Sequence, residues 1–213
     1  MTLYKETKEE LLEICAEMVR RNLVEGSAGN ASARVDDHVV ITPSSVRYIE
    51  MAAEDMMVID MDGKVIEGDR NPSVESPVHL EVYKNREDAR AIVHTHSIYA
   101  SALTLLNRNL PPILDEIVPK LGGEIRITQY SMPGTKELGQ RVVKAMDMRS
   151  AALIANHGAL CCGGSLREAL DVAVLLERAC RIYMIALQAG KPSQLPEDVV
   201  EDEAALWEMM KGY

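Results

Sequence analysis

Phenylalanine is absent from this chain, tryptophan occurs once, and aromatic residues make up only 4% of its 213 positions. Any core must therefore be built from Ala, Val, Ile, Leu and Met. No apolar run approaches the roughly 20 residues that span a bilayer. The opening stretch "MTLYKETKEE" is too charged to contain the apolar region of a secretory signal, so a cytoplasmic protein is expected. Positive charge is the scarcer sign, with 23 Lys and Arg against 33 Asp and Glu and a net charge of −10. No basic cluster relieves that excess, which argues against a nucleic-acid surface. An anionic ligand would need a local device to hold it. The four cysteines, Cys15, Cys161, Cys162 and Cys180, include no C-x-x-C pair. That spacing excludes a zinc knuckle or redox pair and leaves buried, reduced thiols.

What is present is ordinary globular composition, 47% hydrophobic and 26% charged, with no linker or repeat, so residues 1–213 read as one domain. From Thr7, Leu11, Leu12, Cys15, Met18 and Val19 fall on one helical stripe that runs toward Glu25-Gly26. "SARV" and "HVVIT" read as strands joined at Asp36-Asp37, and "MMVIDMDGKVIEG" as a hairpin turning at Asp-Gly. A helix over "VESPVHLEVYKN" has Ser73 as its candidate cap. Then follow a strand "ARAIVHTH", a helix "SIYASALTLLN", a strand "GEIRITQY" and a helix "TKELGQRVVKAM". "SAALIANHGALCCG" reads as two short strands around a turn. A long helix starts at Ser165 with Glu168 three residues on, a capping-box pattern, and a last amphipathic helix runs to Tyr213. The expected fold is α/β, with a central, mainly antiparallel sheet and helices on its faces.

Five histidines occur, and two of them, His94 and His96, stand one residue apart after the apolar "AIV". On a strand both project to the same side. An H-x-H pair alone is a weak signal. Here the apolar run implies burial, where unpaired imidazoles are costly and a shared metal ion removes the cost. His157, in the turn "NHGAL", can approach from another direction, completing three imidazoles with one open position, as in catalytic zinc sites. Glu75, at the helix entry "NPSVES", is the candidate carboxylate. It could ligate the metal at rest and act as a base when released. His79, four residues after Glu75, is read as a supporting residue, and His38, in a charged turn, as solvated. "GSAGN" and "TPSS" offer backbone N–H groups, hydroxyls and an amide, a donor set that holds phosphate without formal positive charge.

Taken together, "GSAGNASAR", "ITPSS", "PSVES..H", "AIVHTHS", "NHGAL" and a terminal tyrosine occur in the order of the class II aldolase and adducin head-domain family, which the chain resembles nearly end to end. It looks most like the L-fuculose-phosphate aldolase branch. The resemblance implies zinc held by His94, His96, His157 and Glu75, with Glu75 also moving the proton. It implies substrate phosphate at Gly29, Asn30, Ser44, Ser45 and Ser73, and Tyr213 reaching a neighbouring subunit's site. It further implies a homotetramer acting on a small sugar phosphate. Two positions depart from the branch: Val74 replaces a phosphate-loop serine, and Asp115 stands where a tyrosine acts as acid. The 4-epimerase branch usually carries Asp at the Glu75 position, which favours an aldolase. That isomerase, a methylthioribulose-phosphate dehydratase and a non-catalytic adducin-like module are the alternatives; adducin-type domains lack the metal histidines this chain keeps.

Overall fold

The computed structural model describes residues 4–211. Seven strands form one sheet: β1 Asn30–Val35, β2 His38–Ile41, β3 Met57–Asp60, β4 Val65–Glu67, β5 Ala91–Thr95, β6 Ala151–Ile154 and β7 Gly158–Gly163. Their order is β4-β3-β2-β1-β5-β7-β6, and every adjacent pair is antiparallel. The helices are α1 Lys5–Arg20, α2 Ser76–Asn85, α3 Ile98–Leu105, α4 Val118–Leu121, α5 Lys136–Met146, α6 Leu166–Ala189 and α7 Glu197–Lys211.

The period-2 alternation of strands sorts the core into two halves. Val40, Val58, Val93, Ala159 and Cys161 face one cluster, packed with α1, α3 and α6. Val39, Ile41, Met57, Ile59, Ile92, Leu160 and Cys162 face the other, under α2 and α5. The adjacent pair Cys161 and Cys162 thus looks to opposite faces, and all four cysteines are buried and free. Burial raises the Cys15 thiol to about 12 and the Cys162 thiol to about 11, so both stay protonated and inert near neutral pH.

Local chemistry moved several boundaries. The first helix ends at Arg20, short of Gly26, because Asn22 takes a left-handed conformation (φ 56°) and Leu23 N–H closes back on the Met18 carbonyl at 2.9 Å. Val19, expected on the buried stripe, is 40% exposed. Ser73 does not cap α2. Glu75 occupies that position, while Ser73 Oγ accepts from Glu75 N–H (3.2 Å) and turns the chain before the helix begins. "GEIRITQY" is not a strand. It makes single bridges, Ile125 to Leu110 and Ile127 to Leu153, and Asn109 Oδ1 takes the Ile127 N–H that a ladder would use. Ser165 does cap α6, accepting from Glu168 N–H at 3.1 Å, but the Glu168 carboxylate reaches back to Gly164 N–H instead of completing the reciprocal box. The last described helix ends at Lys211, and Tyr213 lies outside the described residues.

Candidate metal centre

β5 is an inner strand of the sheet, where His94 pairs with Asn30 of β1 on one side and Leu160 of β7 on the other. His96 follows one period later, just past the strand end. Its position is set by α3: the Glu177 carboxylate, reaching over from α6, accepts from Tyr99 and Ala100 N–H at 2.9 Å each and serves that helix start as a cap. His157 sits in the β6–β7 turn, where its N–H bonds the Ile154 carbonyl (3.1 Å) and Asn156 is left-handed (φ 56°). Ser101 of α3 donates to the His157 carbonyl at 3.1 Å, tying turn to helix. A Cβ on Gly158 would lie 2.1 Å from the Thr95 carbonyl oxygen. Asn-His-Gly is therefore a physical requirement: Asn tolerates the turn, and Gly lets β7 approach β5 closely enough to bring the ring in.

The three rings meet edge to edge. His94 Nε2 is 2.9 Å from His96 Nε2 and 3.3 Å from His157 Nε2, and the last two are 2.9 Å apart. Glu75 closes the set, with Oε2 2.8 Å from His94 Nε2 and Oε1 3.7 Å from His157 Nε2. His94 Nδ1 lies 2.9 Å from the Ala159 carbonyl, which can only accept, so Nδ1 carries the hydrogen. In the neutral ring Nε2 is then a bare lone pair. Such lone pairs repel unless a cation or proton lies among them. Glu75 Oε1 is buried with no hydrogen-bond partner. These four groups, whose ligand atoms lie within 4.8 Å of one another, fit a divalent metal ion by donor chemistry and by convergence.

Charge follows the same pattern. Burial, followed by the neighbouring His94, lowers His96 to about 3 and His157 to about 4, so both rings are neutral, the ligating form, near pH 7. Burial opposes charge on His94 and Glu75 alike, yet their contact prevails. The imidazole is held above its ordinary value and the carboxyl well below its own.

The expected phosphate-binding residues gather beside this centre. Thr42 N–H bonds the Ala31 carbonyl (3.1 Å) and Ser73 N–H the Thr42 carbonyl (3.0 Å), so the turns carrying Ser44, Ser45 and Ser73 are stitched to the start of β1. Ser44 N–H also bonds the Asn71 carbonyl at 2.8 Å, and Ser45 is left-handed and exposed. Gly29 (φ 78°) is pressed against the His94 carbonyl, where a Cβ would lie at 2.7 Å. The Asn30 amide is engaged on both ends: Nδ2 donates to Glu75 Oε2 (3.0 Å), and Oδ1 lies 2.6 Å from His79 Nε2. Val74 is 69% exposed.

Sequence reading gave His79 a supporting place but missed the chain of partners beneath Glu75. His79 is fully buried, and burial lowers it to about 3; it links Asn30 to Ser32 Oγ, which in turn meets Tyr83 Oη. The signal was available. Glu75, His79 and Tyr83 repeat every four residues along one helix face, opposite Asn30 and Ser32 on one strand face. Also missed was a cavity of about 1020 Å³ whose wall includes His96, Tyr99, Glu177, Arg178 and Arg181. His38, expected in solvent, is half-buried with Nδ1 2.9 Å from Tyr4 Oη.

Residues 9–184 match the family model described as Class II Aldolase and Adducin N-terminal domain. The chain belongs to that family. It is 37% identical over 210 residues to the 5-deoxy-D-ribulose 1-phosphate aldolase of Bacillus thuringiensis serovar kurstaki, covering 98% of each chain. It is 34% identical over 204 residues to the L-fuculose phosphate aldolase of Escherichia coli strain K12, covering 96% of this chain and 94% of that one. Among solved structures, an L-fuculose 1-phosphate aldolase superposes with a TM-score of 0.91 at 35% identity, over 95% of this chain and 96% of the other. As a class II aldolase the chain is a lyase of a metal-dependent family, and the His/Glu cluster is a group of side chains that could hold a metal ion.

Proposed function

We propose that the protein reversibly cleaves a deoxyketose 1-phosphate into dihydroxyacetone phosphate and a short aldehyde with a terminal methyl group, using Zn²⁺. The observation that carries this reading is the convergence of three imidazole Nε2 atoms on a buried carboxylate that keeps one oxygen unpartnered. Held by His94, His96, His157 and Glu75, the zinc ion supplies electrophilic polarisation of the substrate ketone and offsets the negative charge that builds on the dihydroxyacetone half.

The remaining work falls to this chain's side chains. Glu75 divides its labour between two oxygens. Oε2 is fixed by the Asn30 amide, and Oε1 is free to carry a proton. In the synthetic direction Oε1 takes a proton from the hydroxymethyl carbon of dihydroxyacetone phosphate; in cleavage it returns one to that carbon. The Gly29 main chain and the hydroxyls of Ser44, Ser45 and Ser73 bind the phosphate, with the second Asn30 Nδ2 hydrogen as a further donor. This anchors the reacting carbon beside the carboxylate without formal positive charge. Tyr213 of a neighbouring subunit would orient or protonate the aldehyde oxygen, in a homotetramer whose sites lie between subunits.

The names of the two relatives supply the candidate substrates. Cleaving 5-deoxyribulose 1-phosphate releases acetaldehyde, and cleaving fuculose 1-phosphate releases lactaldehyde. The test is to incubate metal-analysed protein with each compound, measuring dihydroxyacetone phosphate by coupled NADH oxidation before chelation, after it, and after Zn²⁺ is restored. Turnover lost on chelation and recovered with Zn²⁺ supports the reading. Failure of zinc-loaded protein to release dihydroxyacetone phosphate from either sugar would overturn it.

A further inference from the structure

A buried file of polar groups runs from the core to Glu75, and its directions can be assigned from one end. A carboxylate only accepts, so Asn30 Nδ2 must be the donor to Glu75 Oε2 at 3.0 Å. Asn30 Oδ1 then faces His79 Nε2 at 2.6 Å and must accept, which places the hydrogen of His79 on Nε2. His79 Nδ1 is left as an acceptor and takes the Ser32 hydroxyl hydrogen at 2.7 Å. Ser32 Oγ, having donated, can accept from Tyr83 Oη at 2.7 Å, where the phenol also lies 3.1 Å from the Ser32 carbonyl. Asn30, Ser32, His79 and Tyr83 are each at most 4% exposed, so no bulk water substitutes for a missing partner.

The reverse assignment fails at its last link. With the Asn30 amide turned over, Oδ1 would face Glu75 Oε2 across 3.0 Å, acceptor against acceptor in a buried site, which is strongly unfavourable. We infer that His79 is a positioning residue: by donating from Nε2 it fixes the Asn30 amide, which pins Glu75 Oε2 beside His94 Nε2 and leaves Oε1 as the oxygen without a hydrogen-bond partner. Ser32 holds the required tautomer, and Tyr83 anchors Ser32. The inference rests on the metal site of the proposed function but not on its substrate.

The test uses full-length protein loaded with Co²⁺, whose visible absorption reports the ligand set independently of turnover. His79→Leu removes the donor, while His79→Gln places an amide N–H near the position of Nε2. Leu should alter the Co²⁺ bands and lower kcat by about 10- to 100-fold with KM little changed; Gln should restore the bands and most of kcat. Ser32→Ala should move both readouts in the same direction as Leu, and it carries the test if Leu fails to fold. Equal losses in Leu and Gln, or a wild-type spectrum with wild-type kcat in a folded Leu or Ala variant, would overturn the inference. If wild-type protein cleaves neither ketose phosphate, the functional proposal fails while the spectra still decide the role of His79.

Discussion

Helix α2 carries a buried ionisable group beside each end, and the two are treated in opposite ways. Past the C-terminal end, Arg86 is 4% exposed and fully served. Its guanidinium grips both Asp88 oxygens at 2.7 Å and donates to the carbonyls of Asp147, Met148 and Arg149 at 2.6–3.1 Å. Donors meet acceptors, and the α5–β6 connection is locked to α2. At the N-terminal end, Glu75 is 6% exposed, yet it faces three imidazoles whose Nε2 atoms converge beside it and keeps one oxygen unpartnered. A satisfied buried charge is architecture. An unsatisfied one, held in place by a satisfied network behind it, is a site waiting for a ligand.

If that contrast is right, the two ends should fail differently. The largest effect is expected for Glu75→Gln, which keeps shape but removes the base: kcat should fall by about 10²- to 10⁴-fold. Elemental analysis should still find metal, because the three imidazoles remain. Turnover above a tenth of wild type would dismiss Glu75 as the proton carrier. Arg86→Met should do the reverse. It strips a guanidinium from Asp88 and three carbonyls and should cost on the order of 3 kcal/mol in urea-monitored unfolding. The surviving folded fraction should bind metal normally. Lost metal at unchanged stability would erase the distinction between the ends.

Much of this was legible in the sequence, for identifiable reasons. The short apolar runs in "HVVI" and "AIVHT" announced strands because each face of the sheet buries its own core. His94, His96 and His157 declared themselves by residue type and by the turn at Asn156-His157-Gly158. Glu75 stood out at a helix entry among small and apolar neighbours. The phosphate-turn residues were marked by composition, but Asn30 was assigned to substrate alone, because nothing local in "GSAGN" says that its amide lies between a carboxylate and a histidine 45 and 49 residues away. Non-local pairing also decided "GEIRITQY": its strand-like alternation was real, but the Asn109 side chain competes for the backbone hydrogen a ladder requires. Helix ends were missed where one residue, such as Asn22, adopts a conformation its neighbours do not dictate.

Two smaller perturbations sharpen the comparison by separating geometry from stability. Gly158→Ala would place a methyl group 2.1 Å from the Thr95 carbonyl oxygen, so β7 must move off β5 and take His157 with it. This should cost about 1–3 kcal/mol as overpacking and, unlike Arg86→Met, also weaken metal retention in a competition with a chromogenic chelator. Unaltered retention would mean that His157 tolerates displacement. The smallest effect belongs to Ser165→Ala, which removes only the hydroxyl accepting from Glu168 N–H at the start of α6. A lost N-cap costs about 1 kcal/mol. Because α6 packs on the sheet face opposite α2, the unfolding midpoint should fall while metal content, kcat and KM stay put. A change in metal affinity here would show that fraying of the first turn of α6 reaches Glu177, the α6 carboxylate that caps α3 beside His96.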